Sequence, residues 1–370
     1  MVEVCSYHGP YPGTFIPTLT AVGHSVRQRL ELDYHCVFPA VTRDRAWVHT
    51  LREAGIEPTF LASSTRAGAL RTLAHLARSR NAALVRSHFS RWDLEAGAAA
   101  RLARAASVWH IHSGRFARQA TGATRARDLV KTRVFGRLCD RVLTVSDELH
   151  CGAVARGFPE WKVETLPNGI DIDRFERLRP REEARAALGL ESASTVVLGF
   201  AWSPHAKGTD VLVDGARALG DARALVLVLV GDPATLAPIV GSTLPPWVRV
   251  VAPRDDVETL YAATDVFVSA SREEGFPYAI GEAMASGLPA VSSDIPGPAA
   301  YFAAAGVETF PSEDAVRLEA ALRELVRSED RERLGTANRE FIRARLSLAT
   351  HVDHVVAVFE RLLSGSSSAR

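Results

Sequence analysis

Residues 224–231 read ALVLVLVG, a nearly continuous run of β-branched residues and leucine. A strand buried on both faces needs such a run, and a sheet covered on both faces is normally a parallel sheet layered by helices. The rest of the chain makes the same demand. From residue 34 the pattern runs strand (YHCVFPA), amphipathic helix (RDRAWVHTLREAG) and strand (EPTFLA). A helix at 67–80, a strand at 82–87, an Ala-rich helix at 94–106 and a strand at 107–112 follow. Beyond the middle, a helix at 180–188, strands at 195–201 and 247–251, and a short helix at 257–263 continue the alternation, and amphipathic helices at 315–328, 330–345 and 351–363 close it. Alternation of this kind predicts an α/β fold, in which ligands bind at the carboxyl ends of the strands. At 370 residues the chain exceeds one typical core, so two such domains are expected.

Composition narrows the function classes. No stretch of eighteen apolar residues occurs, and the opening MVEVCSYHGP is not a charged segment followed by an apolar one. The expectation is a soluble, unprocessed chain with no transmembrane segment. Cys5, Cys36, Cys139 and Cys151 form no C-x-x-C and no zinc-like cluster, so a cytoplasmic, metal-free protein is expected. The net charge of +1 is unevenly placed: residues 1–175 hold 24 Lys+Arg against 16 Asp+Glu, and the remainder 20 against 27. The excess concentrates in 101–141, with ten basic and two acidic residues. Either this region faces an anionic acceptor or membrane surface, or it is the solvated face of a chain rich in Arg and Ala. No aromatic array accompanies the charge, so nucleic acid is not an expected partner. The absence of any G-x-G-x-x-G argues against a nicotinamide or flavin enzyme.

Residues 272–297 (REEGFPYAIGEAMASGLPAVSSDIPG) carry the densest chemistry. An apolar strand (TDVFVSAS) precedes a Gly-Phe-Pro turn, and a helical pattern starts near Tyr278. The first N–H groups of such a helix lack intrahelical partners and favour an anion. Glu274 and Glu282, one before the turn and one in the helix, can accept hydrogen bonds from hydroxyls on either side of that anion. A diphosphate flanked by hydroxyl-rich groups describes a nucleotide sugar.

The two glutamates, with seven residues between them in EGFPYAIGEAMASGLPAV, resemble the signature of the family 4 retaining glycosyltransferases. That family has the GT-B fold, two Rossmann-like domains facing each other across a cleft with a C-terminal helix crossing back. Residues 137–175, with Val-Ser and then Pro-Asn-Gly-Ile-Asp at strand ends, resemble the family's approach to its interdomain linker. The resemblance implies an N-terminal acceptor-binding domain at 1–172 with the returning helix at 347–364, and a donor-binding domain at 173–346. The returning helix would couple the domains and allow hinge closure.

The resemblance also implies roles for residues. Glu274 contacts the sugar and its reacting face, Glu282 the ribose hydroxyls, and Gly275, Phe276 and Pro277 form the turn against the sugar. Tyr278, Ala279 and Ile280 begin the helix at the diphosphate. Lys207, in Lys207-Gly208, binds the diphosphate as a point charge and is one of only three lysines in the chain. Relatives usually carry an arginine five positions earlier, where this chain has Trp202; His205 is a candidate substitute cation, and the helix N-terminus alone is the alternative. Arg254 would lie beside the base. Gly13, in the Gly- and Pro-rich loop 6–14, would approach donor phosphate and, with Thr14, the acceptor. Relatives commonly have paired glycines there, whereas this chain has Pro12-Gly13-Thr14. His112, before Ser113-Gly114, would face the transferred sugar, and His88 resembles a histidine near the acceptor. The catalytic set is therefore Glu274, His112 and Lys207. Asp171-Ile172-Asp173 spells D-x-D, a metal motif of the other large glycosyltransferase fold, but it lies in the linker without further ligands, and no metal is assigned.

The implied reaction moves a hexose, with retention, from a UDP-, GDP-, ADP- or dTDP-sugar co-substrate to an acceptor hydroxyl, with no other cofactor. The acceptor is a small molecule or glycan, anionic or membrane-proximal in view of the basic half. A glycoside natural product or a cell-surface glycan is the expected product, made in the cytoplasm or peripherally at the inner membrane surface. Two other readings stand beside it: a catalytically silent paralogue acting as partner subunit or sugar sensor, suggested by Trp202, and a glycoside phosphorylase of the same architecture.

Overall fold

The structure is a computed structural model, described for residues 1–63, 65–89, 91–112, 132–133, 136–190, 195–222, 224–241, 243–295, 301–302 and 304–367. The chain forms two compact units: unit 1 is Met1–Gly169 with Ala349–Arg370, and unit 2 is Ile170–Leu348. Much of the basic stretch 101–141, and Ser113-Gly114, lie outside the described residues. So do Pro296 and Gly297 at the end of the glutamate stretch.

Unit 1 is built on seven strands: β1 Val2–Cys5, β2 His35–Pro39, β3 Thr59–Leu61, β4 Leu84–His88, β5 Ala106–Ile111, β6 Arg141–Thr144 and β7 Val163–Thr165. Their order is β3-β2-β1-β4-β5-β6-β7 and every pairing is parallel. Successive residues of a strand face opposite sides. Val2 and Val4 of β1 join a core with Leu73 and Ala77 of the helix Arg66–Ser79 and Ala99 and Ala100 of the helix Asp93–Ala103. Glu3 therefore faces the other side. There the Arg86 guanidinium lies 5.1 Å over the ring of Phe359, whose helix, Leu348–Ser367, buries Val355, Val356, Val358 and Phe359. Arg29 fastens this helix through Asp353 at 2.7 Å and Glu360 at 3.2 Å.

Unit 2 has six strands: β8 Thr195–Phe200, β9 Leu225–Val230, β10 Val248–Val251, β11 Val266–Ser269, β12 Ala290–Ser293 and β13 Glu308–Phe310. Their order is β10-β9-β8-β11-β12-β13, again wholly parallel. The Leu/Val run forms β9 and pairs with β8 along six residues, from Thr195↔Leu225 to Phe200↔Val230. Leu227, Leu229 and Val197 share one core with Leu212 and Ala216 of the helix Thr209–Asp221 and Leu318 and Leu322 of the helix Ala315–Arg327. Strands β12 and β13 were not anticipated from the sequence.

Each sheet has one place where the strand order turns back. In unit 1 the chain builds outward from β1 to β3 and resumes at β4 on β1's other side; in unit 2 it builds from β8 to β10 and resumes at β11. Loops leaving the carboxyl ends of the two strands at such a point diverge to opposite faces and leave a crevice, which is where open α/β sheets bind ligands. The loops that qualify are those after β1 and β4 and those after β8 and β11.

Candidate active site

In unit 2 the loop after β8 contains Lys207 and the loop after β11 contains Glu274, so the topology alone brings together residues 67 positions apart. Gly208 has φ +57°, and a Cβ there would sit 1.9 Å from the carbonyl oxygen of Ala270. Only glycine lets the two loops touch backbone to backbone. Arg272 closes the clasp: its amide donates to Ala206 O at 2.9 Å and its guanidinium to His205 O at 2.8 Å. The same guanidinium makes a two-point pair with Asp210 at 2.8 and 2.7 Å. Inside the clasp Lys207 Nζ donates to Glu274 Oε1, which also accepts from Ser271 Oγ at 2.8 Å. Trp202 is 59% exposed, and Lys207 Nζ lies 4.6 Å from its ring centroid. At the position where the family resemblance implied a second cation, this chain places a π face beside the Lys207 ammonium.

Glu282 sits in the helix Tyr278–Ala285, nearly buried, with Oε2 accepting from Tyr261 Oη at 2.8 Å. Burial and the neighbouring carboxylate push the Tyr261 phenol well above its usual pKa, so it remains a donor. The amides of Tyr278, Ile280 and Gly281 already donate to the carbonyls of Phe276 and Pro277. Two of the helix's first amides, those of Tyr278 and Ile280, thus have partners within the turn, where the sequence reading expected them to be open to an anion. Phe276 is buried against Tyr278 and Phe302, with ring centroids at 5.3 and 6.1 Å. Gly275 and Ala279 are half-buried between these elements. Arg254 pairs with Asp256 at 2.5 and 2.6 Å, and its hydrogen bonds hold the Asp256 carboxyl down at about 2. Asp171 of the D-x-D caps the helix Ile172–Glu176 by accepting from Arg174 N at 3.4 Å.

In unit 1 the crevice holds uncharged rings. His88 ends β4, and His112 follows β5. Nδ1 of His88 is 2.9 Å from Nε2 of His112, and Nε2 of His88 is 3.0 Å from Oε2 of Glu3. Both nitrogens of His88 are thus engaged inside the protein and the side chain is buried, which makes it a partner of His112. Glu3 is fully enclosed in a two-point pair with Arg86 at 2.9 and 2.8 Å and accepts from Tyr34 Oη at 3.1 Å. Burial alone would raise its pKa; Arg86 and His88 hold it at about 2. Burial lowers the pKa of His88, His110 and His112, and the nearby Arg86 adds to it, so all three rings are neutral near pH 7.

Phe89 stacks on His112 with centroids at 4.7 Å, and Phe15 meets both His88 and His112 edge-on. Phe89 itself has φ +62°, a costly conformation for a bulky residue, at the exit of β4. Gly13 also has positive φ (+53°) and is exposed just before buried Thr14, at the start of the helix Phe15–Leu30. The nitrogens of His88, His110 and His112 offer atoms within 4.8 Å of one another, the spacing among the described residues that a metal ion could use.

Sequence reasoning did not single out Glu3, Arg86, His110, Tyr261, Ser271 or Arg272. A signal existed for the first two: a lone charge within the apolar run VEVC at 2–5, and one within the predicted strand AALVRS at 82–87, has to be paired when buried.

Comparison with known proteins agrees with this architecture. The model of the group described as Glycosyltransferase Family 4 matches residues 37–174, and that described as Glycosyl transferases group 1 matches residues 194–328. The lipopolysaccharide core biosynthesis mannosyltransferase LpsB of Rhizobium meliloti is 35% identical over 138 residues, 35% of this chain and 39% of LpsB. The chain matches between 33% and 58% of the length of such curated relatives. Among solved structures, a glycosyltransferase of Rickettsia africae superposes with TM-score 0.82 at 15% identity, covering 98% of both chains. HepE of Anabaena, solved with UDP and glucose, superposes with TM-score 0.79 at 16% identity over 98% of this chain and all of the other. Each half of the chain thus matches a glycosyltransferase family model, and the two-sheet architecture throughout is that of GT-B glycosyltransferases.

Proposed function

We propose that this chain is a glycosyltransferase that moves a hexose from a nucleoside diphosphate sugar to an acceptor hydroxyl with retention of configuration and without a bound metal. The observation that carries the reading is the clasp at the β8/β11 crevice, which sets one ammonium against one carboxylate. An incoming diphosphate competes with Glu274 for Lys207. Once Lys207 turns to the phosphates, Glu274 is released as an acceptor for sugar hydroxyls at the reacting face. Lys207 then stabilises charge that grows on the leaving diphosphate, a contribution larger in the transition state than in the ground state. That phosphate helps remove the proton of the attacking hydroxyl. Glu282, steadied by Tyr261, takes the ribose hydroxyls. Arg254 lies by the base, and the turn at Gly275, Phe276 and Pro277 with the helix start at Tyr278, Ala279 and Ile280 lines the donor. Unit 1 handles the acceptor through Gly13, Thr14 and the His88–His112 pair, with His112 serving the transferred sugar.

HepE was solved with UDP and glucose, and LpsB is named for lipopolysaccharide core biosynthesis. Both support a nucleotide-sugar donor and a glycan acceptor, here cytoplasmic or at the inner membrane surface. A silent paralogue is the second reading, favoured by Trp202, which offers Lys207 a π face in place of a second phosphate-binding cation. The test is turnover of UDP-, GDP-, ADP- and dTDP-sugars with candidate acceptors, with the product's anomeric configuration read by NMR. The expected result is a retained linkage from one donor, lost in Glu274→Ala. Nucleotide binding without turnover of any donor would favour the silent paralogue, and an inverted product would overturn the mechanism.

A further inference from the structure

The contacts of the histidine pair of unit 1 fix the position of individual protons. Glu3 is locked in a two-point pair with Arg86, so it is ionised and can only accept hydrogen bonds. His88 Nε2, 3.0 Å from Glu3 Oε2, must therefore carry a hydrogen. A neutral imidazole has one N–H, so His88 Nδ1 is bare. It lies 2.9 Å from His112 Nε2, which must then be the donor. His112 is neutral as well, enclosed by Phe15 and Phe89 near Arg86, His110 and His351, and its remaining nitrogen, Nδ1, is bare.

We propose that Glu3, His88 and His112 form a hydrogen-bonded relay that holds His112 in the Nε2–H tautomer and leaves Nδ1 as a fixed acceptor for a sugar hydroxyl. His112 is half-buried, the least enclosed of the three histidines, while Glu3 and His88 are sealed behind it. Glu3 and His88 are positioning residues: they touch no ligand and act through His112. The nature of the hydroxyl rests on the transferase reading; the tautomer does not. No proton leaves the relay in this role. A hydroxyl that donates to Nδ1 is oriented with its oxygen lone pairs turned away from the ring.

The experiment is long-range proton–nitrogen NMR on the full chain with ¹⁵N-labelled histidine at neutral pH without ligand, with His112 assigned by the spectrum of His112→Gln. The expected result is neutral His88 and His112, each protonated at Nε2. His112 protonated at Nδ1, or at both nitrogens, would overturn the proposal. In His88→Phe, which keeps a ring in the aromatic cluster, the His112 tautomers should mix. Transfer should then fall by about tenfold in kcat with donor KM unchanged. If no transfer is found with any donor, the wild-type spectrum still decides the relay. A wild-type spectrum as expected, with His88→Phe leaving the His112 tautomer unmoved, would overturn the claim that His88 sets it.

Discussion

Each sheet carries a carboxylate–cation pair at or behind its crevice, and the two pairs differ in the one property that decides what a pair can do. Glu3 and Arg86 in unit 1 have side-chain exposures of 0% and 2%, whereas Lys207 and Glu274 in unit 2 have 13% and 14%. A sealed pair cannot be exchanged for a ligand, because opening it would strand two charges without water. It serves as scaffold, and its neighbours are held by it: Tyr34, His88 and, through His88, His112. A pair that solvent can reach can be opened by a competing anion, so the same chemistry becomes a latch. Under the proposed function, phosphate and charge fall to unit 2, and hydroxyls met by neutral rings to unit 1.

The largest expected effect that would break this contrast is acid unfolding confined to unit 1. Burial lowers His35 and His351 to about 4, and lowers His88, His110 and His112 as well. Bases with lowered pKa bind more protons when unfolded, so their contribution is present above pH 6.5 and is lost as pH falls toward 4. Buried Asp93, raised to about 8, and Glu148, raised by partial burial, work the other way over that range, two groups against five. Asp256 in unit 2 is lowered to about 2, so its contribution persists until pH drops below the ordinary carboxylate range. Hydrogen exchange between pH 7 and 4 should show unit 1 opening first; unit 2 opening first would contradict the contrast.

Next in size is Arg86→Met, which leaves the Glu3 carboxylate buried and unpaired and should cost about 3–5 kcal/mol in denaturant unfolding. Opening the other pair should do the reverse to stability and the most to chemistry. Glu274→Ala is expected to lower transfer by about a hundredfold or more while the protein stays folded. Nucleoside diphosphate alone should bind that variant at least as tightly as the wild type, because Lys207 no longer has to leave a carboxylate. Weaker nucleotide binding would argue against a latch. The smallest change is Tyr261→Phe, which removes one hydrogen bond to Glu282 and should raise donor KM by about tenfold with kcat nearly unchanged, measured by steady-state kinetics.

The sequence made the strands of the two parallel sheets legible wherever they were apolar on both faces, as β8 and β9 are. The helix start at Tyr278 was legible from the Gly-Phe-Pro turn before it. Strand β13 was not, because its Glu308 and Thr309 are exposed and three residues carry little pattern. Strand β12 lay hidden between Gly287-Leu288-Pro289 and a Ser-Ser-Asp exit, where turn signals outweighed four short side chains. At the sites, Lys207, Glu274, Glu282 and His112 stood out by motif, but what holds each did not. Glu3 and Arg86 are 83 positions apart, and Lys207 and Glu274 are 67 apart; only the strand order makes them neighbours. Trp202 was visible as a departure from the family pattern, while its place beside the Lys207 ammonium follows from the folding of the loop after β8.

The most direct measurement is calorimetric binding of UDP, GDP, ADP and dTDP, each with EDTA present, to the wild type and to Lys207→Ala. The account predicts that one nucleotide binds the wild type without metal and that the substitution weakens it by about ten- to a hundredfold, the worth of a charged hydrogen bond. Binding that Lys207→Ala leaves unchanged, or no binding by any of the four, would contradict the latch at the β8/β11 crevice and bring the silent paralogue forward.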